Sequence, residues 1–145
     1  MNLAMYAGRV GDLPGTVGLP WEYFEKRGCF LDCRGPLTIS ALSNWGYRVS
    51  ILTQSHDIDE WPELGFAVPY GVTVEDNVWI GSRALLAGCT IYRNSIVAAG
   101  TVVRGQDVGP GVMVAGNPAR VVARWDGTQW DYLPDRESGY CRELA

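Results

Sequence analysis

The sequence predicts an all-β chain wound as a parallel solenoid of short strands, on three observations. Large apolar residues recur every six positions: Ile39, Trp45 and Ile51, then Val68, Val74 and Ile80, then Ile91, Val97 and Val103. That period fits neither a lone amphipathic helix nor a half-buried straight strand, and it suits strands that point one residue inward per side of a coil. Small or polar residues, among them Ser40, Gly46, Gly81, Ala98 and Gly100, fall between the inward positions, where each coil has to turn. With 145 residues, 47% of them hydrophobic, the chain holds one packed domain and leaves little room for another.

Taken in order, residues 1–27 precede the repeat. Gly8, Gly11, Pro14, Gly15, Gly18 and Pro20 exclude a continuous helix before Pro20, and Trp21-Glu22-Tyr23-Phe24-Glu25-Lys26 is expected to form a short helix or strand that caps the open end of the core. Residues 28–122 carry the repeat. At three strands per coil, or about 18 residues, this stretch makes roughly five coils around a column of Ile, Val, Leu and Ala. The frame slips once, because Ile80 to Ile91 is eleven residues rather than twelve, so a turn is shortened within Leu85-Leu86-Ala87-Gly88-Cys89-Thr90. Asp57 to Ala67 is an insertion that breaks the repeat. Residues 123–145 form a C-terminal extension whose segment Trp125-Asp126-Gly127-Thr128-Gln129-Trp130-Asp131-Tyr132 reads as aromatic and irregular, packing back on the coils.

Composition removes several function classes. A formal net charge of -4 gives no basic surface for nucleic acid. No apolar run approaches a membrane span and the first residues lack a basic, then apolar leader, so a cytoplasmic protein is expected. Cys29, Cys33, Cys89 and Cys141 lack paired C-x-x-C spacing and neighbouring histidines, so no metal site is expected and buried thiols are the better reading. A metal-dependent hydratase on such a solenoid would need three histidine ligands, and His56 is the only histidine. One side chain that exchanges a proton near neutral pH, set on a repetitive scaffold, suggests a transferase with a single catalytic base.

Ordered motifs then make a resemblance specific. Val74-Glu75-Asp76-Asn77-Val78-Trp79-Ile80-Gly81-Ser82-Arg83 resembles the signature segment of the hexapeptide-repeat acyltransferases, in the branch of galactoside, maltose and capsular-sugar O-acetyltransferases. Val97-Ala98-Ala99-Gly100-Thr101-Val102-Val103 and Ala115-Gly116-Asn117-Pro118-Ala119-Arg120-Val121 match two further segments, and Leu31-Asp32-Cys33-Arg34-Gly35-Pro36-Leu37-Thr38-Ile39 resembles the coil before the family's catalytic histidine. The resemblance implies a left-handed parallel β-helix, a homotrimer, and acetyl transfer from acetyl-CoA without a metal. The left hand comes from the resemblance alone, since parallel crossovers are ordinarily right-handed.

Site residues follow from the chemistry and the resemblance together. A sugar hydroxyl attacks a thioester only as a base removes its proton, and Ser55-His56-Asp57 occupies the place of the family's base, which makes His56 that base. Asp57 or a backbone carbonyl would set the ring's tautomer. The carbonyl oxygen gains charge during attack, and the resemblance offers the backbone amide near Gly81-Ser82 as its donor, although Gly81 also serves simply to turn the corner. Acetyl-CoA would lie along Ser82, Ala99, Arg104 and Arg120, with Arg120 either on the nucleotide end or a solvated surface arginine. Arg104-Gly105 stands where relatives carry a threonine-lysine pair. Asp32 would meet hydroxyls of a sugar or glycan-precursor acceptor, or be a turn aspartate. Trp61 would stack on a sugar ring or pack against a neighbouring subunit.

The leading expectation is an acetyl-CoA-dependent O-acetyltransferase acting on a sugar or glycan precursor. An N-acetyltransferase acting on an amino sugar or other amine is the alternative within enzymes, and a noncatalytic binding or structural solenoid is the alternative outside them.

Overall fold

The computed structural model describes the backbone of residues 5–6 and residues 16–63, 65 and 67–133 in full. Cys141 and the glycine- and proline-bearing stretch 7–15 lie outside the described residues. The coils form a three-faced prism. The first face stacks Met5–Tyr6, Phe30–Asp32, Ser50–Leu52, Leu85–Ala87 and Val102–Arg104, all parallel. The second stacks Leu37–Ile39, Val72–Val74 and Cys89–Ile91, with single parallel bridges to Val17 at one end and Val108 at the other. The third stacks Asn44–Trp45, Trp79–Ile80, Ile96–Val97 and Val112–Ala115. Four coils are therefore complete between Phe30 and Ala115, and the N-terminal segment adds part of a fifth.

The six-residue period marks the inward positions, because only these meet the residues above and below them away from water. Leu31, Ile51, Leu86 and Val103 make one column, and Ile39, Val74, Ile91 and Val108 a second; each is at most 2% exposed. Trp45, Ile80, Val97 and Val114 make the third column. Burying each such side chain stabilises the stack by about 1.5–3 kcal/mol. Outward on the second face, β-branched Thr38, Thr73 and Thr90 stand in register, a residue type suited to a pleated, half-buried surface.

Val68 departs from its expected inward place. It is 53% exposed and pairs, through Val68–Pro69, antiparallel with Gln54–Ser55 in the excursion, while Val72 takes the inward position between Leu37 and Cys89. The shortened turn lies at Gly88, one left-handed residue (φ 56°) joining Leu85–Ala87 to Cys89–Ile91.

Two kinds of residue shape the corners between the third and first faces. Arg48, Arg83 and Gly100 adopt left-handed φ of 57°, 61° and 71° and make the bend. Gly46 and Gly81 serve a different need: a Cβ on Gly46 would lie 2.5 Å from the Ser82 amide, and one on Gly81 would collide with the Ala99 amide in the next coil.

Trp21–Lys26 is a helix standing where the partial coil would have its third strand. It inserts Phe24, 1% exposed, edge-on to Trp45 at 5.3 Å and so closes one end of the core. At the other end the chain is more regular than expected. Arg120–Trp125 and Trp130–Tyr132 form an antiparallel hairpin that extends the third face beyond Val112–Ala115. Asp126 closes its turn by accepting from the amides of Thr128 and Gln129, at 2.7 and 2.8 Å, and these bonds hold its carboxyl below the usual carboxylate range.

Candidate active site

The prism has one long interruption, between Leu52 on the first face and Val72 on the second, and His56 stands on it. Thr53 anchors both ends. Its carbonyl accepts from the returning amides of Tyr70 and Gly71 at 2.9 and 3.3 Å, so the excursion leaves and rejoins the stack at one residue. Thr53 is in turn held from the coil before. Its amide donates to Asp32 Oδ2 at 3.2 Å, its hydroxyl donates to the Asp32 carbonyl at 2.9 Å, and it accepts from the Gly35 amide at 2.9 Å.

Asp32 accordingly belongs to the foundation of this loop. Its side chain is 0% exposed and forms a two-pronged ion pair with Arg34, Nε to Oδ1 at 2.8 Å and Nη2 to Oδ2 at 3.1 Å, with the Arg34 amide adding a bond at 3.2 Å. Burial alone would raise the carboxyl's pKa, but the hydrogen bonds from Arg34 and the amides of Arg34 and Thr53 outweigh it and hold the group below its ordinary value. The face it turns to solvent is that of Arg34, whose side chain is 45% exposed.

His56 itself is exposed, and its Nδ1 lies 2.8 Å from the Gly65 carbonyl oxygen. A carbonyl can only accept, so Nδ1 carries the proton and the neutral ring presents Nε2 as a bare acceptor. Of the two tautomer-setting partners considered for His56, the backbone carbonyl is the one in contact. Asp57 is otherwise engaged: its carboxylate accepts from the Asp59 amide at 3.0 Å and caps the short 3-10 turn Ile58–Glu60. Glu60 reaches across the loop, its Oε2 accepting from the Gly65 amide at 3.1 Å. The Asp57-x-x-Glu60 spacing is that of a capping box, a signal from which Glu60's structural part could have been suspected. Trp61 follows on this loop at 73% exposure, with Ile58 at 75%.

The acetyl-CoA candidates lie elsewhere on the prism. Ser82 and Ala99 stack on the corner between the third and first faces, with Gly100 N donating to Ser82 O at 2.9 Å and Val102 N to Gly116 O at 3.0 Å along the same corner. Within Gly81-Ser82 the Gly81 amide already donates to the Val97 carbonyl at 2.7 Å, so of the two amides it is the one engaged inside the stack. Arg120 is exposed at the end of this corner and donates to the Ala119 carbonyl at 2.9 Å. Arg104 ends its strand at the opposite corner, on the side from which the His56 loop emerges; Gln106 spans the gap, donating to Ala119 O at 3.1 Å. One chain thus gathers Ser82, Ala99 and Arg120 along one corner, and sets His56, Trp61, Asp32 and Arg104 along another.

The described thiols are poor nucleophiles. Cys29, Cys33 and Cys89 are buried, and burial pushes each pKa up, that of Cys89 to about 12. Among the described residues no three His, Cys, Asp or Glu side chains cluster in a way that could hold a metal ion, and no helix is long and apolar enough to cross a membrane.

No protein-family model matches the chain. Individual proteins do. It is 43% identical to the galactoside O-acetyltransferase of Escherichia coli over 77 residues, 52% of this chain and 37% of that protein. The crystal structure of a hexapeptide-repeat acetyltransferase from Vibrio cholerae matches with a TM-score of 0.59 at 33% identity, over 65% of this chain and 54% of that one. The chain is similar in sequence and in fold to hexapeptide-repeat acetyltransferases. Its prism is the left-handed parallel β-helix of those solved relatives. The Vibrio cholerae protein has also been solved in complex with acetyl-CoA, and that structure matches with a TM-score of 0.55 at 31% identity, over 65% of this chain and 52% of that one. A third relative, the tetrahydropyridine-dicarboxylate N-acetyltransferase of Clostridium perfringens, is 48% identical over 54 residues, 37% of this chain and 22% of that protein. The chain spans about half the length of the curated relatives it matches.

Proposed function

We propose that this chain transfers an acetyl group from acetyl-CoA to a hydroxyl of a sugar or glycan precursor, with His56 as the general base. The observation that carries the proposal is the Gly65 carbonyl 2.8 Å from His56 Nδ1. In the neutral ring it puts the proton on Nδ1 and leaves Nε2 to accept, the state a base must be in before the acceptor arrives. His56 Nε2 removes the hydroxyl proton as that oxygen attacks the thioester carbonyl carbon. The Ser82 amide donates to the carbonyl oxygen as it gains charge. When the carbon–sulfur bond breaks, His56 returns the proton to the departing sulfur, so the ring ends as it began.

On this reading the site is shared between two chains. Ser82 and His56 occupy different corners of one prism, so a site containing both forms between copies, and a closed ring of three would build three such sites. Apolar side chains standing out around the His56 loop, Ile58, Trp61, Val68 and Tyr70 at 75%, 73%, 53% and 43% exposure, supply surface for that contact. Trp61 is then placed either to stack on the acceptor ring or to pack against the neighbour. Ser82, Ala99 and Arg120 would line the arm and nucleotide of acetyl-CoA, with Arg104 approaching from the adjoining copy. Acetyl-CoA is a cytoplasmic co-substrate, and the cytoplasm is the proposed place of work.

N-acetylation of an amine is the second reading, favoured by the identity shared with the Clostridium perfringens enzyme. The two differ in product. Purified protein incubated with acetyl-CoA and a panel of sugars, nucleotide sugars and amines should yield an acceptor one acetyl group heavier, and brief mild alkali should restore the original mass because hydroxide cleaves esters far faster than amides. An acetyl group that survives alkali moves the assignment to an amine. No product with any acceptor removes the enzymatic proposal in favour of a noncatalytic solenoid.

A further inference from the structure

We propose that Glu60 is a positioning residue for His56, fixing Gly65 so that its carbonyl keeps the imidazole proton on Nδ1. The assignment rests on His56 being the base. Among the described residues, the hydrogen-bond partner of the His56 ring is a main-chain oxygen on a glycine in an exposed loop. Glycine is the residue with the widest choice of backbone conformations, so such a carbonyl holds its direction only if a second contact fixes the residue.

Glu60 supplies that contact. Its Oε2 accepts from the Gly65 amide at 3.1 Å, while the Gly65 carbonyl faces His56 Nδ1 at 2.8 Å. A Cβ on Gly65 would lie 2.9 Å from the same oxygen, a measure of how closely the Glu60 side chain approaches this residue. Glu60 in turn ends the short turn capped by Asp57. Asp57, the carboxylate nearest to the base in sequence, therefore acts two steps away, through the turn that aims Glu60. The arrangement sets the tautomer through a neutral main-chain oxygen, with the Glu60 charge held on the Gly65 amide.

The chain has one histidine, so [15N]histidine labelling gives one set of ring signals and reads the tautomer directly. In the intact protein at a pH where the ring is neutral, Nδ1 should be the protonated nitrogen. Glu60→Ala should move the signals toward a mixture of tautomers, lower kcat by roughly 10- to 100-fold through misplacement of the base, and leave KM for acetyl-CoA unchanged. Glu60→Gln keeps an oxygen that can accept from the Gly65 amide, and should restore the tautomer and most of kcat. An unchanged tautomer or an unchanged kcat in Glu60→Ala overturns the proposal, as does a Glu60→Gln variant as damaged as Glu60→Ala. The ring signals are read without turnover, so this test stands apart from that of His56 as base, which fails only if His56→Ala remains active.

Discussion

Asp32 on one coil and Thr53 on the next are tied by two hydrogen bonds, Thr53 N to Asp32 Oδ2 at 3.2 Å and Thr53 Oγ1 to Asp32 O at 2.9 Å. Because the loop bearing His56 leaves and returns at Thr53, a buried carboxylate one coil away sets where that loop starts. Asp32→Ala strips the Thr53 amide of its partner and should lower stability by about 1–3 kcal/mol. It should also lower kcat by loosening the loop.

The same carboxylate predicts a pH dependence. Its folded-state pKa lies below the ordinary value, so its contribution is complete above about pH 4 and is lost as pH falls through the lower folded value. The stability gap between the parent and Asp32→Asn, measured by urea unfolding, should shrink on acidification below about pH 4. A gap that widens there would refute this account of Asp32.

Gly81 and Gly100 should separate two causes of glycine preference. A Cβ at Gly81 collides with the next coil, whereas one at Gly100 meets nothing within 4 Å and suffers only from its φ of 71°. Gly81→Ala should therefore cost about 1–3 kcal/mol by overpacking, and Gly81→Asn more. Gly100→Ala should cost roughly 1–2 kcal/mol, and Gly100→Asn less, since asparagine tolerates the left-handed region. Thermal melts of the four variants check the order. Recovery of Gly81 by asparagine would show that the coils do not press together there.

Legibility in the sequence followed how each residue is constrained. Ile39, Trp45 and Ile51 could be read because an inward position on a coil admits only apolar side chains, and the rule repeats. Val68 was misplaced because it continues the six-residue count back from Val74, while pairing inside the excursion took it out of register; Gly71, left-handed at φ 62°, marks where the coil resumes. Asp32 reads in sequence as an acceptor contact or a turn aspartate, and its burial depends on Arg34 folding back two residues later. His56 stood out by being unique. Its partner did not, because a backbone carbonyl brought near by loop closure leaves no mark on side-chain pattern. The C-terminal hairpin is hidden by its aromatic residues and by the one-residue register shift, between Met113 and Val114, in its pairing with the last coil.

Asp57→Ala tests the division of labour on the loop. Loss of a cap should cost about 1 kcal/mol, and the ring tautomer should move less than in Glu60→Ala. A loss of activity equal to that of His56→Ala would instead put Asp57 in the proton relay.

Assembly is the next expectation. A site built from His56 of one copy and Ser82 of another requires that the active species be an oligomer, and light scattering should give three times the 15.9 kDa chain mass. Full activity in a species of single-chain mass would contradict it.

The most direct measurement is the rate of acetyl transfer from acetyl-CoA by the parent and by His56→Ala, compared at equal folded concentration with folding checked by circular dichroism. The parent should form an alkali-labile acetyl ester, and the variant should do so about 100- to 10,000-fold more slowly, the usual contribution of a positioned base. Equal rates from the two proteins would contradict the assignment of His56.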